Sequence, residues 1–161
     1  MSLITLSNLE RITASQLAEI ILAANATGEK TTDLGIAIVD VRDDDHIGGH
    51  IRTSLHFPSR SLDAAMPTLL RKLANKDTVV FHCALSQQRG PGAALQYLRE
   101  REATAAAKGT GKGNGEGGGG SKEHQQKVYV LDRGFVGWQE LYGTDERLTE
   151  GYRKDLWEDG Y

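Results

Sequence analysis

An α/β fold, with a central and mostly parallel sheet covered by helices on both faces, is what this sequence predicts. Three observations carry that expectation. Gly35–Arg42 (GIAIVDVR), Asp77–Cys83 (DTVVFHC) and Lys127–Asp132 (KVYVLD) are short, continuous apolar runs rich in β-branched residues, the mark of strands buried on both faces. Stretches with helical spacing separate them, and strands alternating with helices imply a parallel sheet inside helical layers. The length of 161 residues suits one domain that can bury a core without disulfide or metal staples.

Arg11–Ala24 (RITASQLAEIILAA) aligns Leu17, Ile20, Ile21 and Ala24 on one helical face. Thr13 followed by Gln16 reads as a capping box that starts this helix. The first buried strand, Gly35–Arg42, follows and ends in charge. Thr53–Pro58 (TSLHFP) reads as a short strand stopped by its proline. In Asp63–Asn75, Leu69, Leu70 and Leu73 keep helical spacing, with Pro67 expected near the helix start, where a missing N–H is tolerated. Asp77–Cys83 is the second buried strand. The helix after it starts near Gly90–Pro91, with Pro91 in its first turn. Lys108–Lys122 (KGTGKGNGEGGGGSK) has no apolar side chain and cannot offset its ordering entropy. It lacks the preceding strand and the Gly-Lys-Ser/Thr ending of a phosphate loop. It is read as a flexible surface insertion, which the fold tolerates at little closure cost. Lys127–Asp132 is the third buried strand.

Composition excludes several classes of function. A net charge of -3 gives the chain no basic footprint for nucleic acid. Its start lacks the basic and long apolar regions of a secretory signal, and no apolar run reaches the roughly 20 residues a membrane span needs. The single cysteine, Cys83, rules out an internal disulfide and fits a reducing compartment. A cytoplasmic or nuclear protein without membrane or nucleic-acid partners is the expectation.

Chemistry concentrates where the second strand ends. The strand delivers Cys83 to the C-terminal edge of the sheet, where open α/β sheets bind ligands. The next helix points its unpartnered N–H groups and positive dipole end at the same place. Between Cys83 and Arg89, residues Ala84, Leu85, Ser86, Gln87 and Gln88 can curl so that successive N–H groups converge on an anion. Arg89 adds a planar fork for two oxygens. The same positive field favours a thiolate, the attacking form of a cysteine. Ser86 is expected to donate its hydroxyl to sulfur or oxyanion, and Gln87 and Gln88 to shape the rim. A lone cysteine after an apolar strand is ordinarily core packing; Arg89 at this spacing, followed by glycine and a helix start, favours the catalytic reading.

The residues His82–Pro91 (HCALSQQRGP) resemble the His-Cys-x5-Arg signature of rhodanese-fold phosphatases. These comprise the cell-division-cycle dual-specificity phosphatases, the yeast-type arsenate reductases and the small fungal phosphatases related to both. Upstream, Asp40, Arg42, Gly49, His50, Ile51 and Pro58 are similar to the Asp-x-Arg and Gly-His-Ile signature of the same fold. Downstream, Gly134, Phe135 and Trp138 resemble its Gly-Phe-x-x-Trp turn after the last strand. The resemblance implies a rhodanese-like domain with Cys83 as nucleophile, a cysteinyl-phosphate intermediate, and a phosphate held by Arg89 and the backbone of Ala84–Gln88. It implies structural roles for Asp40, Arg42 and His82, with no cofactor. His50 is expected to make a structural hydrogen bond. His46 and His50, spaced i, i+4, sit in a glycine-containing loop with no cysteine or third histidine nearby in the sequence, so no metal site is assigned.

The loop from Cys83 through Arg89 counts seven residues, and the resemblance implies that sulfur-transferring rhodaneses use one fewer. Phosphate or arsenate fits, and sulfur transfer is demoted. The position after the cysteine, acidic in some cell-cycle phosphatases, is Ala84 here, so the loop carries no general acid. Asp132, after the last strand, is the candidate acid, the substrate's own monoanion being the alternative. No second cysteine exists to resolve an oxidised Cys83, so an external thiol must do so. The expected activity is hydrolysis of phosphomonoesters, from phosphotyrosine or other phosphorylated proteins or small molecules. The alternatives are arsenate reduction with glutathione and glutaredoxin, and a non-catalytic phosphopeptide-binding module.

Overall fold

The computed structural model describes residues 5–28, 35–112 and 126–158. Five strands form a parallel sheet in the order β1 (Glu10–Ile12), β6 (Lys127–Leu131), β5 (Thr78–His82), β2 (Ile36–Asp40) and β4 (Leu55–His56). A two-stranded antiparallel ribbon pairs β3 (His50–Ile51) with β7 (Thr149–Glu150). The two central strands, β2 and β5, pair in register from Ile36 against Thr78 to Asp40 against His82. Every residue of β2 is buried, as expected of a strand covered on both faces.

Side-chain alternation divides those strands between two cores. On one face, Ala37, Val39, Val79 and Phe81 meet Leu62, Met66, Leu69 and Leu73 of α2 (Leu62–Leu73) and Ala93, Ala94 and Tyr97 of α3 (Arg89–Lys112). On the other, Ile38, Val80 and Leu131 meet Leu17, Ala18 and Ile21 of α1 (Ala14–Ala26) and Phe135 and Trp138 of α4 (Gly134–Tyr142). Each fully buried side chain of this size contributes about 1.5–3 kcal/mol of apolar burial. The Thr13–Gln16 capping box forms as the sequence predicts, with the Thr13 hydroxyl accepting from the Gln16 N–H and the Gln16 side chain accepting from the Thr13 N–H.

Several elements differ from the sequence expectations. Pro67 is the sixth residue of α2, inside the helix rather than in its first turn, so the Asp63 carbonyl loses its helical donor. Gly134–Trp138, read as a turn, opens the helix α4. β1 was not expected at all. Residues 108–112 of the Gly-rich segment continue α3, and the rest of the predicted insertion lies outside the described residues. Among the described residues no helix is long and apolar enough to cross a membrane.

Candidate active site

β5 ends at His82 and α3 begins at Arg89, and the loop between them lies at the C-terminal edge of the parallel sheet. Cys83 is 3% exposed. The Ser86 and Gly90 N–H groups each donate to Cys83 Sγ over 3.2 Å. The Gly90 donor belongs to the first turn of α3, where N–H groups have no intrahelical acceptor. Both dipoles aim at the sulfur, the atom in position to attack a bound phosphoryl group. Ser86 reaches this geometry through a left-handed backbone, with φ of 57°. Its N–H, rather than the expected hydroxyl, faces the sulfur; Ser86 Oγ is buried with no hydrogen-bond partner among the described residues.

The loop carbonyls are anchored from outside. Cys83 O accepts from the Phe135 N–H and Ala84 O from the Val136 N–H, both over 2.9 Å. Ser86 O accepts from Arg11 Nη2 over 3.0 Å, and Gln88 O accepts from the Gly92 N–H over 2.8 Å. Within a trans peptide the C=O and N–H point in opposite directions. Carbonyls turned outward at 83, 84, 86 and 88 therefore turn the N–H groups of Ala84, Leu85, Gln87 and Arg89 toward the loop's interior, a nest for an anion. Leu85, Gln87 and Gln88 are exposed on the rim.

Two glycines permit the close packing behind this nest. A Cβ on Gly134, whose φ is 57°, would lie 2.5 Å from Ala84 O and 2.6 Å from Cys83 O. A Cβ on Gly90 would lie 3.2 Å from His82 Cα, so glycine lets the start of α3 sit directly on the end of β5.

Arg89 stands at the loop's far end with its fork occupied. Nη1 and Nη2 donate to the two oxygens of Asp45 over 2.8 and 2.6 Å, and Nη1 also reaches Asp43 Oδ2 over 3.2 Å. The hydrogen bonds from Arg89 hold Asp45 at about 2, against an opposing effect of burial. Burial also works against ionisation of Asp43, but hydrogen bonds from Ser59, the Arg60 N–H and Arg89 hold it below the usual carboxylate range. The carboxylates in turn raise Arg89 above its ordinary value, the Asp45 hydrogen bonds foremost.

Behind the loop, Asp40 and Arg42 are buried together. Arg42 Nε and Nη2 donate to Asp40 at 3.0 and 2.7 Å, and Nη2 also donates to Gly49 O at 2.9 Å. The guanidinium lies 4.3 Å from the centroid of the Phe135 ring. This cluster ties the 43–49 segment to α4, whose first turn anchors the Cys83 loop. Burial alone would push Asp40 up; nearby positive charge and the Arg42 hydrogen bonds outweigh it and hold Asp40 at about 2. Complete burial drives His82 down, so at neutral pH the guanidinium, rather than His82, carries this stabilisation. His82 Nδ1 donates to Cys83 O over 3.1 Å. His50 Nε2 lies 3.0 Å from Glu150 Oε1, bridging β3 and β7. His46 stacks on His56 with ring centroids 3.7 Å apart.

Asp132 sits outside the loop beside Arg11. Its Oδ1 accepts from Arg11 Nη1 over 3.3 Å, while the same guanidinium holds Ser86 O. The C-terminal Trp157 packs back onto the domain, donating from Nε1 to Gly48 O over 3.0 Å and lying 5.7 Å from the Phe135 ring. Sequence reasoning passed over Arg11, Asp43 and Asp45 as parts of this site, whereas Trp157 packs back on the domain as the sequence suggests. The run of three aspartates directly after Arg42 was the one available signal for the Arg89 partners.

With the fold and loop defined, comparison with known proteins is decisive. A profile of the Rhodanese-like domain matches residues 21–141. The chain belongs to the rhodanese-like family. This rhodanese-like chain is 35% identical over 131 residues to the CDC25-like phosphatase YCH1 of Saccharomyces cerevisiae, covering 74% of this chain and 76% of that one. It is 41% identical over 112 residues to Arsenate reductase 2.1 of Oryza sativa subsp. japonica, covering 65% of this chain and 56% of the rice protein. The solved structure of Ygr203w, a yeast protein tyrosine phosphatase of the Rhodanese family, matches with a TM-score of 0.67 at 31% identity, over 96% of this chain and 99% of that chain. The rhodanese fold, the parallel sheet and the kinship with Cdc25-like phosphatases and arsenate reductases thus agree with the sequence expectations.

Proposed function

We propose that this rhodanese-like protein is a cysteine-based phosphatase that hydrolyses phosphomonoesters through a phosphocysteine at Cys83. The observation that carries the proposal is the sulfur at the base of the seven-residue Cys83–Arg89 loop, facing the N–H groups of Ser86 and Gly90 at 3.2 Å. The inward N–H groups and the Arg89 fork take the non-bridging oxygens of the phosphoryl group and stabilise their charge in the transition state. Cys83 attacks in line; the S–P bond forms, the P–O bond breaks, and the leaving oxygen takes a proton. Water then attacks phosphorus, releases inorganic phosphate and restores the thiolate. Because Arg11 engages Asp132, water is the proposed proton source for the leaving oxygen of a dianionic substrate. Phosphotyrosine or dual-specificity protein substrates are the favoured class, in keeping with the yeast relatives. A cytoplasmic or nuclear location, where external thiols keep Cys83 reduced, completes the proposal.

Arsenate reduction is the second reading, favoured by the rice relative. Arsenate matches phosphate in shape and charge, and its two-electron reduction by a chain with one cysteine must draw on external thiols such as glutathione and glutaredoxin.

The test runs p-nitrophenyl phosphate hydrolysis, arsenate reduction with glutathione and glutaredoxin, and thiosulfate sulfur transfer on one preparation. Hydrolysis is expected, and Cys83→Ser abolishes it; hydrolysis that persists in that variant sinks the mechanism. Arg89→Lys is expected to lose about 100-fold in rate, since a point charge cannot replace the bidentate fork.

A further inference from the structure

We propose that Asp45, seconded by Asp43, is a specificity-determining residue: its carboxylate competes for the Arg89 fork, so that doubly charged tetrahedral oxyanions displace it and singly charged ones do not. The proposal rests on the phosphatase reading and names the ligand charge that the same loop selects.

The geometry is that of a bound anion. Two parallel N–H···O contacts, at 2.8 and 2.6 Å, place the Asp45 oxygens where two oxygens of a phosphoryl group engage a guanidinium. Both carboxylates also have partners other than Arg89. Asp45 Oδ1 accepts from the Asp43 N–H over 2.8 Å, and Asp43 accepts from Ser59 Oγ over 2.6 Å and from the Arg60 N–H over 2.9 Å. The segment that carries them is pinned further along, where Trp157 Nε1 and the Arg153 N–H both donate to Gly48 O. Arg89 is the partner with the longer reach, its guanidinium ending a long, flexible stem. When Arg89 turns to a ligand, Asp45 stays behind without its guanidinium, while Asp43 keeps the Arg60 guanidinium at 4.0 Å. The ligand must supply enough negative charge to hold the guanidinium against the two carboxylates. A dianion offers twice the attraction of a monoanion at the same distance, so the pair of aspartates sets a threshold in ligand charge.

The test uses the full chain and its one cysteine. Alkylation of Cys83 by iodoacetamide is followed by intact mass in the presence of tungstate, a tetrahedral dianion, or perrhenate, a tetrahedral monoanion of similar size. Wild type is expected to be protected by tungstate and not by perrhenate at the same concentration. Asp45→Asn keeps the acceptor for the Asp43 N–H and loses the charge. In it, the half-protecting tungstate concentration is expected to fall about fivefold, the scale of a partly exposed ion pair, and perrhenate to begin protecting. KM for p-nitrophenyl phosphate should fall alongside, without a rise in kcat. Asp45→Glu keeps the charge and is expected to stay near wild type. Unchanged or weaker protection of Asp45→Asn overturns the proposal, as does an equal gain in Asp45→Glu, which would reveal a loosened loop rather than lost charge. If tungstate protects neither wild type nor Asp45→Asn, the phosphatase reading itself fails and takes this proposal with it.

Discussion

Gly134→Ala tests whether the helix behind the loop, and not the loop alone, sets the position of the nucleophile. The added Cβ meets Ala84 O at 2.5 Å and Cys83 O at 2.6 Å, so the Cys83–Ala84 peptide must retreat by about 0.9 Å to reach ordinary contact at 3.4 Å. That retreat breaks the bonds from the Phe135 and Val136 N–H groups, worth about 1 kcal/mol each. The left-handed backbone at φ of 57° costs alanine roughly 1–2 kcal/mol more. The sum, about 3–4 kcal/mol, corresponds to a Tm lowered by roughly 6–16 °C for a chain of this length. The displaced peptide carries Cys83, and a shift of about 1 Å in a reacting group costs roughly 100-fold in rate. Thermal denaturation followed by circular dichroism and p-nitrophenyl phosphate hydrolysis read the two effects. A variant within about 2 °C and twofold of wild type would refute the assigned role of the close approach.

Arg11→Ala should lower kcat/KM about tenfold with little change in Tm, because it frees the Ser86 carbonyl that keeps the neighbouring N–H groups turned inward while removing a partly exposed side chain; unaltered kinetics would contradict this. Arg42→Met is expected to destabilise the fold by about 3–5 kcal/mol in urea denaturation, since it strands the Asp40 carboxylate without its buried partner; a loss under about 1 kcal/mol would rule out that pairing as a support. Stability should also fall with pH in two stages. Burial drives His46 down to about 4 and His82 down as well, so the unfolded chain binds protons that the folded chain refuses. Stability is full above about pH 6.5 and falls below it, by at most about 1.4 kcal/mol per pH unit for each group. Asp40 and Asp45, held at about 2, add a second loss as pH drops from about 4 toward 2 and protonation breaks their ion pairs. Urea denaturation at a series of pH values that shows no slope between pH 7 and 5 would refute the histidine assignment.

The elements most legible in the sequence are those whose burial leaves a local mark. β2 and β5 carry the continuous apolar runs Ile36–Val39 and Val79–Phe81 because helices cover both faces, and Thr13 and Gln16 announce α1 because a capping box closes within four residues. β1 left no such mark: of Glu10, Arg11 and Ile12 only Ile12 is buried. α4 hid behind Gly134 and Gly137, which read as a turn although both glycines answer to packing. Cys83, its loop and the helix that follows were legible because they are contiguous. The partners of that loop were not. Arg11 lies 75 residues from Ser86, and Asp45 lies 44 residues from Arg89; the fold brings them together, and the aspartate run after Arg42 is the one local hint of it.

Rapid acid quench of wild-type protein during p-nitrophenyl phosphate turnover, followed by peptide mass analysis, tests the central claim most directly. A phosphoryl group on the peptide that contains Cys83, absent from Cys83→Ser, is the predicted result. Turnover with no phosphoryl group on Cys83, or with one on another residue, would contradict the assignment of Cys83 as the nucleophile.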